Sequence, residues 1–257
     1  MPHLHPTAVV DPSAVLAADV QVGPYSIITA GVEIGSGTVV GSHVLIEGPT
    51  KIGRDCRIHH CAVVGTAPQD LKYKGVPSAV EIGDGNTIRE FVTVNRATEE
   101  EGKTSIGNNN LLMAYVHVAH NCVIGNNVIL ANAVNLAGHV SIHDFAIVGG
   151  VTPVHQFARI GRYAFIGGGS RVSQDVPPFV RAAGNPLVVA GLNSIGLVRR
   201  GISPDVRTQL KRVYRLFYRS DLNTKQALER IKSESPDIAE VREFVEFVEQ
   251  SQRGISR

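Results

Sequence analysis

From Leu4 to Val172, every sixth residue is Leu, Ile or Val, with two exceptions in 29 positions, Asp70 and Glu100. A helix needs an apolar period of 3.6 and a plain strand a period of two, so neither carries this pattern. A short strand followed by a corner does. Gly often follows the aliphatic residue, as at Gly23, Gly35, Gly41, Gly53, Gly83, Gly107 and Gly125, which suits tight corners. The residue two places before it is often small or branched, as at Ala14, Val20, Val32, Thr38 and Val44. Aromatic residues make up 5% of the chain and Trp is absent, so the core is aliphatic. Asp70 and Glu100 fall in segments 66–78 and 96–104, where the pattern lapses and then resumes in phase. These segments read as loops extruded from a regular wall, and such loops tend to carry function.

The repeat resembles that of the hexapeptide-repeat transferases. The resemblance implies a left-handed parallel β-helix, in which three hexapeptides close one triangular coil of about 18 residues. Each aliphatic then points inward and stacks on its equivalents above and below, and the ends need capping. The phase ends near Val172, and Asp175-Val176-Pro177-Pro178 closes the solenoid. Past Gly191 the period becomes helical. Ser203-Pro204-Asp205 is a helix start, followed by Val206, Leu210, Val213 and Phe217 on one face. Ser235-Pro236-Asp237 repeats the signal ahead of Ile238, Val241, Val245 and Val248, and a shorter helix is expected over 225–232. The chain therefore divides into a β-helix over 1–190 and a small α-helical domain over 191–257.

Bulk properties exclude several classes. The net charge of +2 is too weak to imply nucleic acid. No apolar run approaches the ~18 residues of a membrane span, so stable membrane insertion is not expected. The N-terminal residues lack the apolar run of a signal peptide. Cys56, Cys61 and Cys122 show no metal-type spacing and read as reduced thiols of a cytoplasmic protein. Charge is uneven, however. Residues 199–219 carry Arg199, Arg200, Arg207, Lys211, Arg212, Arg215 and Arg219 against Asp205 alone. Singly these read as a solvated face, but together they suit an acidic partner or a phosphate.

Histidines cluster at His117, His120, His139 and His155, with His143 nearby. On an 18-residue coil, His120 stacks under Gly138 and Gln156. His139 is one residue past that column and His155 one before it. Three imidazoles on one stripe suit a general base, because His titrates near neutrality. They also suit a zinc site, and the residues alone leave both open.

Several runs resemble the UDP-N-acetylglucosamine O-acyltransferases that begin lipid A synthesis. They are Gln69-Asp70-Leu71-Lys72-Tyr73, Ile88-Arg89-Glu90, Asn110-Leu111-Leu112-Met113, Ala119-His120, Leu136-Ala137-Gly138-His139-Val140, Val154-His155-Gln156-Phe157, Gln174-Asp175-Val176-Pro177-Pro178, Gly184-Asn185 and Arg199-Arg200-Gly201. They occur in order and cover both parts. The resemblance implies transfer of an (R)-3-hydroxyacyl chain from acyl carrier protein to the 3-hydroxyl of UDP-N-acetylglucosamine, with no cofactor and no metal. It implies that His120 is the general base and that the Gly138 N–H is the oxyanion donor. It places Asp70, Lys72, His117, His139, His155, Gln156 and Asn193 around the substrates. Arg199 and Arg200 lie near the phosphates. Gly168 sits where acyl length is limited, and Gly there implies a longer chain. The resemblance further implies a homotrimer with clefts between subunits, and a helical domain that helps bind the acidic carrier protein.

The chain also departs from the family pattern. Asn121 stands where Asp usually follows the catalytic His; it can orient an imidazole but lacks the charge to stabilise an imidazolium. Val94-Asn95-Arg96-Ala97-Thr98 replaces an Ile-His-Arg-Gly-Thr run, Ile195 an expected Glu, and Pro186 a frequent His. N-acylation of a 3-amino sugar nucleotide is the alternative these changes leave open. Three rivals are weaker. A trimeric γ-class carbonic anhydrase lacks the matching His-x4-His spacing here. A later N-acyltransferase of the pathway carries an N-terminal uridine-binding domain, and the repeat begins at Leu4. A non-catalytic scaffold is the third, since a solenoid can simply present a surface, and His120→Ala decides it.

Overall fold

The computed structural model describes residues 1–257. The chain folds as a left-handed parallel β-helix capped by four helices. Three sheets form the walls. The first wall has eleven strands, from His3–Leu4 to Val188–Leu192. The second has eight, from Val9–Val10 to Pro153–Val154, and the third eight, from Val15–Leu16 to Arg159–Ile160.

Most strands are two residues long, and the pair explains the period. In Arg57–Ile58 the first residue faces solvent and the second is 2% exposed. The residue two before each aliphatic also faces inward at the corner, where small or branched side chains predominate and Asn86 and Asn110 are the exceptions. Val20, Val32, Val44 and Val140 occupy that row, and so do Cys56 and Cys122, all buried. Both cysteines are therefore packing residues, and burial pushes the Cys122 thiol up to about 12. Gly after the aliphatic answers a different need from the one its sequence position suggested. A Cβ at Gly35 would lie 2.7 Å from the Gly53 carbonyl carbon one coil on, so the demand is for space between coils. The left-handed backbone falls two residues later, and there Asn, His and aromatic residues take it, as at Tyr115, Asn121 and His139.

Register confirms an 18-residue coil over most of the solenoid: His117 pairs with Asn135 and Asn135 with Pro153. The exceptions lie at the two loops. Val63 pairs with Thr93 and Thr93 with His117, steps of 30 and 24 residues. The loops thus add two hexapeptides and one, which is why the sequence period resumes unbroken. They leave the coil between the strands Val63–Thr66 and Ala79–Ile82, and between Thr93–Asn95 and Lys103–Ile106. Both emerge at the edge joining the second wall to the third.

The top of the solenoid holds a hairpin absent from the sequence reading. Val180–Ala183 joins the first wall in parallel with Phe165–Ile166 and then pairs antiparallel with Val188–Leu192. Helix α1 (Ser194–Arg199) follows, then α2 (Pro204–Tyr218), α3 (Thr224–Glu234) and α4 (Ala239–Glu249). Ser203 caps α2 through its side chain, as its sequence predicts. Helix α3 starts with a capping box between Asn223 and Gln226. The second Ser-Pro-Asp signal works differently. Ser235 ends α3, and α4 is capped by Ile238 with no side-chain bond, because Pro236 and Asp237 belong to the turn between the helices. None of the helices is long and apolar enough to cross a membrane.

The helices are tied to the coils by polar contacts. Arg162 donates to both Glu243 carboxylate oxygens at 2.6–3.0 Å, and the Arg159 guanidinium lies 4.2 Å from the Phe247 ring centroid. His143, which the sequence grouped near the other histidines, instead packs edge-on against Phe247 at the edge between the third and first walls. Asp175 is fully buried and accepts from the Arg159 N–H and the Ser251 hydroxyl, both at 2.8 Å. Its backbone also pairs with Gly254 and Ser256, pinning the C-terminal tail to the coil. Asp175→Ala is expected to lower unfolding stability by roughly 1–3 kcal/mol, since two part-buried donors lose their acceptor. Chemical denaturation measures this directly.

Candidate functional site

The edge between the second and third walls carries the candidate site. Each coil turns there through four residues after its inward aliphatic: Ala119–His120–Asn121–Cys122, Ala137–Gly138–His139–Val140 and His155–Gln156–Phe157–Ala158. Coil on coil, His120 lies under Gly138 and Gly138 under Gln156. The His120 ring lies across the Gly138 Cα, and a Cβ there would sit 2.5 Å from Nε2. The His139 ring meets His120 edge-on, with centroids 5.2 Å apart, and stacks on Phe157 at 4.6 Å. The two extruded loops leave the same edge just below, in the two preceding coils.

Hydrogen bonds define the protonation of His120. The Asn121 Oδ1 accepts from the Thr98 N–H at 3.1 Å and the Thr98 hydroxyl at 3.0 Å. The Asn121 Nδ2 donates to the Glu99 carboxylate. An N–H can only donate and a carboxylate can only accept, so the amide orientation is set from both sides. His120 Nδ1 lies 2.8 Å from that oxygen and must carry the proton. Nε2 is left with its lone pair facing the Gly138 backbone and solvent. The Gly138 N–H makes no hydrogen bond within the chain. An imidazole nitrogen and an unpaired backbone N–H thus face one small space.

Neighbouring histidines are tuned differently. His117 Nδ1 lies 2.7 Å from the Thr93 hydroxyl; burial, helped by His120, holds its pKa below the usual value. Burial also lowers His139, against the pull of Glu99, whose carboxylate is 3.9 Å from Nε2. Burial thus favours the neutral form of both imidazoles. His155 is exposed and accepts at Nδ1 from Arg253, 3.1 Å away. Asp70 and Lys72 lie in the first loop, where the Lys72 N–H donates to the Asp70 carboxylate at 2.8 Å. Asp70 is close enough for its charge to act on His139.

Other residues named from sequence lie elsewhere in the single chain. Gly168 is exposed at the opposite edge of the second wall, above Gly150. Arg200 lies 4.9 Å from the Phe145 ring, at the third edge, with Arg199 exposed beside it. Asn193 is engaged as the N-cap of α1: it accepts from Gly196 N–H and donates to the Tyr163 carbonyl. Cavities of about 490 and 480 Å3 lie against the first coils and along the third wall, away from the histidines. No three His, Cys, Asp or Glu side chains converge on a point a metal could occupy.

Four contributors escaped the sequence reading. Glu99 and Thr98 lie in a loop flagged for function, but nothing in the linear pattern aims them at Asn121. Arg96 binds the loops together, donating to the Gly65 carbonyl at 2.9 Å and to the Tyr73 hydroxyl at 3.3 Å. Arg253 reaches His155 only because the tail folds back onto the coil.

The chain is similar to known proteins along its whole length. Residues 175–256 match the family profile described as UDP N-acetylglucosamine O-acyltransferase, domain 2. Residues 31–66 and 103–138 match the bacterial transferase hexapeptide (six repeats). The chain is 52% identical to the acyl-(acyl-carrier-protein)–UDP-N-acetylglucosamine O-acyltransferase of Janthinobacterium sp. (strain Marseille), over 99% of both chains. It is 49% identical to the protein of the same name from Halorhodospira halophila, over the whole of both. Among solved structures, LpxA from Acinetobacter baumannii superposes with a TM-score of 0.95 at 46% identity, over 99% of each chain. The UDP-N-acetylglucosamine acyltransferase of Francisella novicida gives 0.96 at 42% identity, over 99% of this chain and 94% of that one.

Proposed function

This chain belongs to the UDP-N-acetylglucosamine O-acyltransferase family, and from that premise we propose that it transfers an (R)-3-hydroxyacyl chain from acyl carrier protein to the sugar 3-hydroxyl, the first step of lipid A synthesis. The observation that carries the mechanism is the His120 ring lying against Gly138 with Nε2 free.

In this reading the sugar hydroxyl gives its proton to His120 Nε2 as its oxygen attacks the thioester carbonyl. The carbonyl oxygen becomes an oxyanion and takes the unpaired Gly138 N–H. Collapse breaks the C–S bond, and the departing thiolate takes the proton from the imidazolium. The neutral His139 and His117 line the path without competing for that proton. Asp70 and Lys72 hold sugar and acyl groups, and Gln156 and His155 border the nucleotide. The hydroxyl acceptor is favoured over a 3-amino sugar because the relatives are named as O-acyltransferases.

The assembly in this reading is a homotrimer. Arg199, Arg200, Asn193 and Gly168 occupy other edges of the prism than the histidines. Copies arranged about a common axis set one chain's histidine edge against a neighbour's wall, forming the missing half of a cleft. Gly168 and Gly150 leave their edge bare of side chains, which suits a longer acyl chain. Residues 1–190 then serve as the catalytic solenoid and 191–257 as the docking part, in a cytoplasmic enzyme.

An acyl-transfer assay tests the proposal, offering 3-hydroxyacyl carrier proteins of several lengths with UDP-N-acetylglucosamine or its 3-amino analogue. Ester product from the ordinary sugar supports it; amide product alone, or no product, overturns it. Arg207 and Lys211 flank a cleft of about 290 Å3 beside α1. Arg207→Glu with Lys211→Glu is expected to raise KM for the acyl carrier protein about tenfold at low salt and less at high salt. KM for the sugar nucleotide is expected to stay unchanged.

A further inference from the structure

His120 is joined through one amide to a carboxylate that lies 22 residues before Asn121 in the chain. We propose that Glu99 is the charged positioning residue of the general base: its carboxylate acts through the Asn121 amide on the His120 imidazole. The inference rests on the reading of His120 as that base.

The chain of bonds runs in one direction. His120 Nδ1–H donates to Asn121 Oδ1, and Asn121 Nδ2–H donates to the Glu99 carboxylate. A negative charge on the N–H side of an amide draws its protons and pushes electron density onto its oxygen. That oxygen becomes a better acceptor for the imidazole N–H, and bonds in such a chain reinforce one another. When Nε2 takes the substrate proton, the imidazolium gains from a carboxylate it does not touch. An Asn beside a catalytic His is therefore not uncharged support here.

Three further contacts hold the arrangement. The Thr98 N–H and hydroxyl both donate to Asn121 Oδ1, which keeps the amide from flipping. The buried Thr104 hydroxyl accepts the Asn121 N–H at 2.8 Å, with Asn121 in the left-handed conformation that Asn tolerates. Burial pushes the Glu99 carboxyl up, but its hydrogen bonds, led by that from Asn121, outweigh this and hold it below its usual value. It is therefore a carboxylate throughout the working pH range. The charged and titratable groups facing His120 are His117 from the second wall and His139 from the next coil. Asp70 of the first loop and Glu99 of the second act beyond them. Of the two acids, Glu99 alone is bonded to the amide that holds His120. Its side chain is 56% exposed in the single chain, so water screens part of its charge, and the expected effect is moderate.

The test separates charge from shape. Glu99→Gln keeps an acceptor for Asn121 and removes the charge. It is expected to lower kcat about tenfold, with both KM values within about twofold. Without the carboxylate the imidazolium is harder to form, so the acid limb of the pH–rate profile moves to lower pH. Asn121→Asp in the Glu99→Gln background puts the charge directly on His120. It is expected to restore kcat to within about threefold and return the acid limb upward. Asn121→Asp alone sets two carboxylates face to face and stays less active than the double variant. An unchanged kcat and profile in Glu99→Gln overturns the proposal. So does a loss with an unmoved acid limb that Asn121→Asp does not rescue, which marks a purely structural residue. Retained turnover in His120→Ala overturns the base assignment instead, whatever Glu99 does.

Discussion

His120→Ala is expected to lower kcat/KM for acyl transfer by about 10²–10⁴, the usual contribution of a positioned general base. Folding is not expected to suffer. The imidazole sits at an outer corner, its one hydrogen bond is to Asn121, and its neighbours above and below are carried by the solenoid core. A thermal melt within a degree or two of the unsubstituted chain, and an unchanged oligomeric mass, are the accompanying results. Turnover within a few-fold of normal would remove the base from the mechanism.

The second large effect comes from a single methyl group. Gly138→Ala introduces a Cβ whose nearest neighbours are all atoms of the His120 ring, including Nε2 at 2.5 Å and Nδ1 at 3.1 Å. No backbone atom stands among them, so the coil accepts the change and the imidazole does not. The ring must swing away, breaking its bond to Asn121 and leaving the acceptor hydroxyl without an aligned base. Misplacement of about 1 Å costs on the order of 10²-fold, and this is the expected loss. A double-mutant cycle identifies the cause. If the methyl acts through the imidazole, Gly138→Ala costs almost nothing further once His120 is Ala. A full additional loss in that background would place its effect on the free N–H. A wild-type rate in the single variant would mean that the ring does not rest where the structure has it.

Gly138 shows how far the sequence reading reached. Counting by 18 put it over His120, and in the structure the ring lies against its Cα. The count could not say why Gly is required, because that depends on the rotamer of His120, which Asn121 sets. The extruded loops were legible for a related reason. Asp70 and Glu100 break an aliphatic row that nothing else breaks, and the inserts are whole hexapeptides, so the phase around them survived. What the loops do was not legible. Glu99 approaches Asn121 only because the second loop folds back along the edge, a path that no local propensity encodes. The helical part shows the same division. Ser203 was recognised as a cap because the signal is local, whereas Ser235 bears the same signal and ends a helix instead, owing to the turn that joins α3 to α4.

What the sequence alone determined was periodic: an aliphatic every sixth residue, a coil of three hexapeptides, and hence the stacking of residues far apart in the chain. A repeat translates linear distance into spatial position, so the histidine stripe followed from arithmetic. What only the tertiary structure decided was aperiodic. The reach of Glu99 to Asn121, the return of Arg253 to His155 and the dispersal of Arg200 and Gly168 to other edges depend on where loops and tail come to rest. Those positions arise from long-range packing and single hydrogen bonds, which leave no period in the chain.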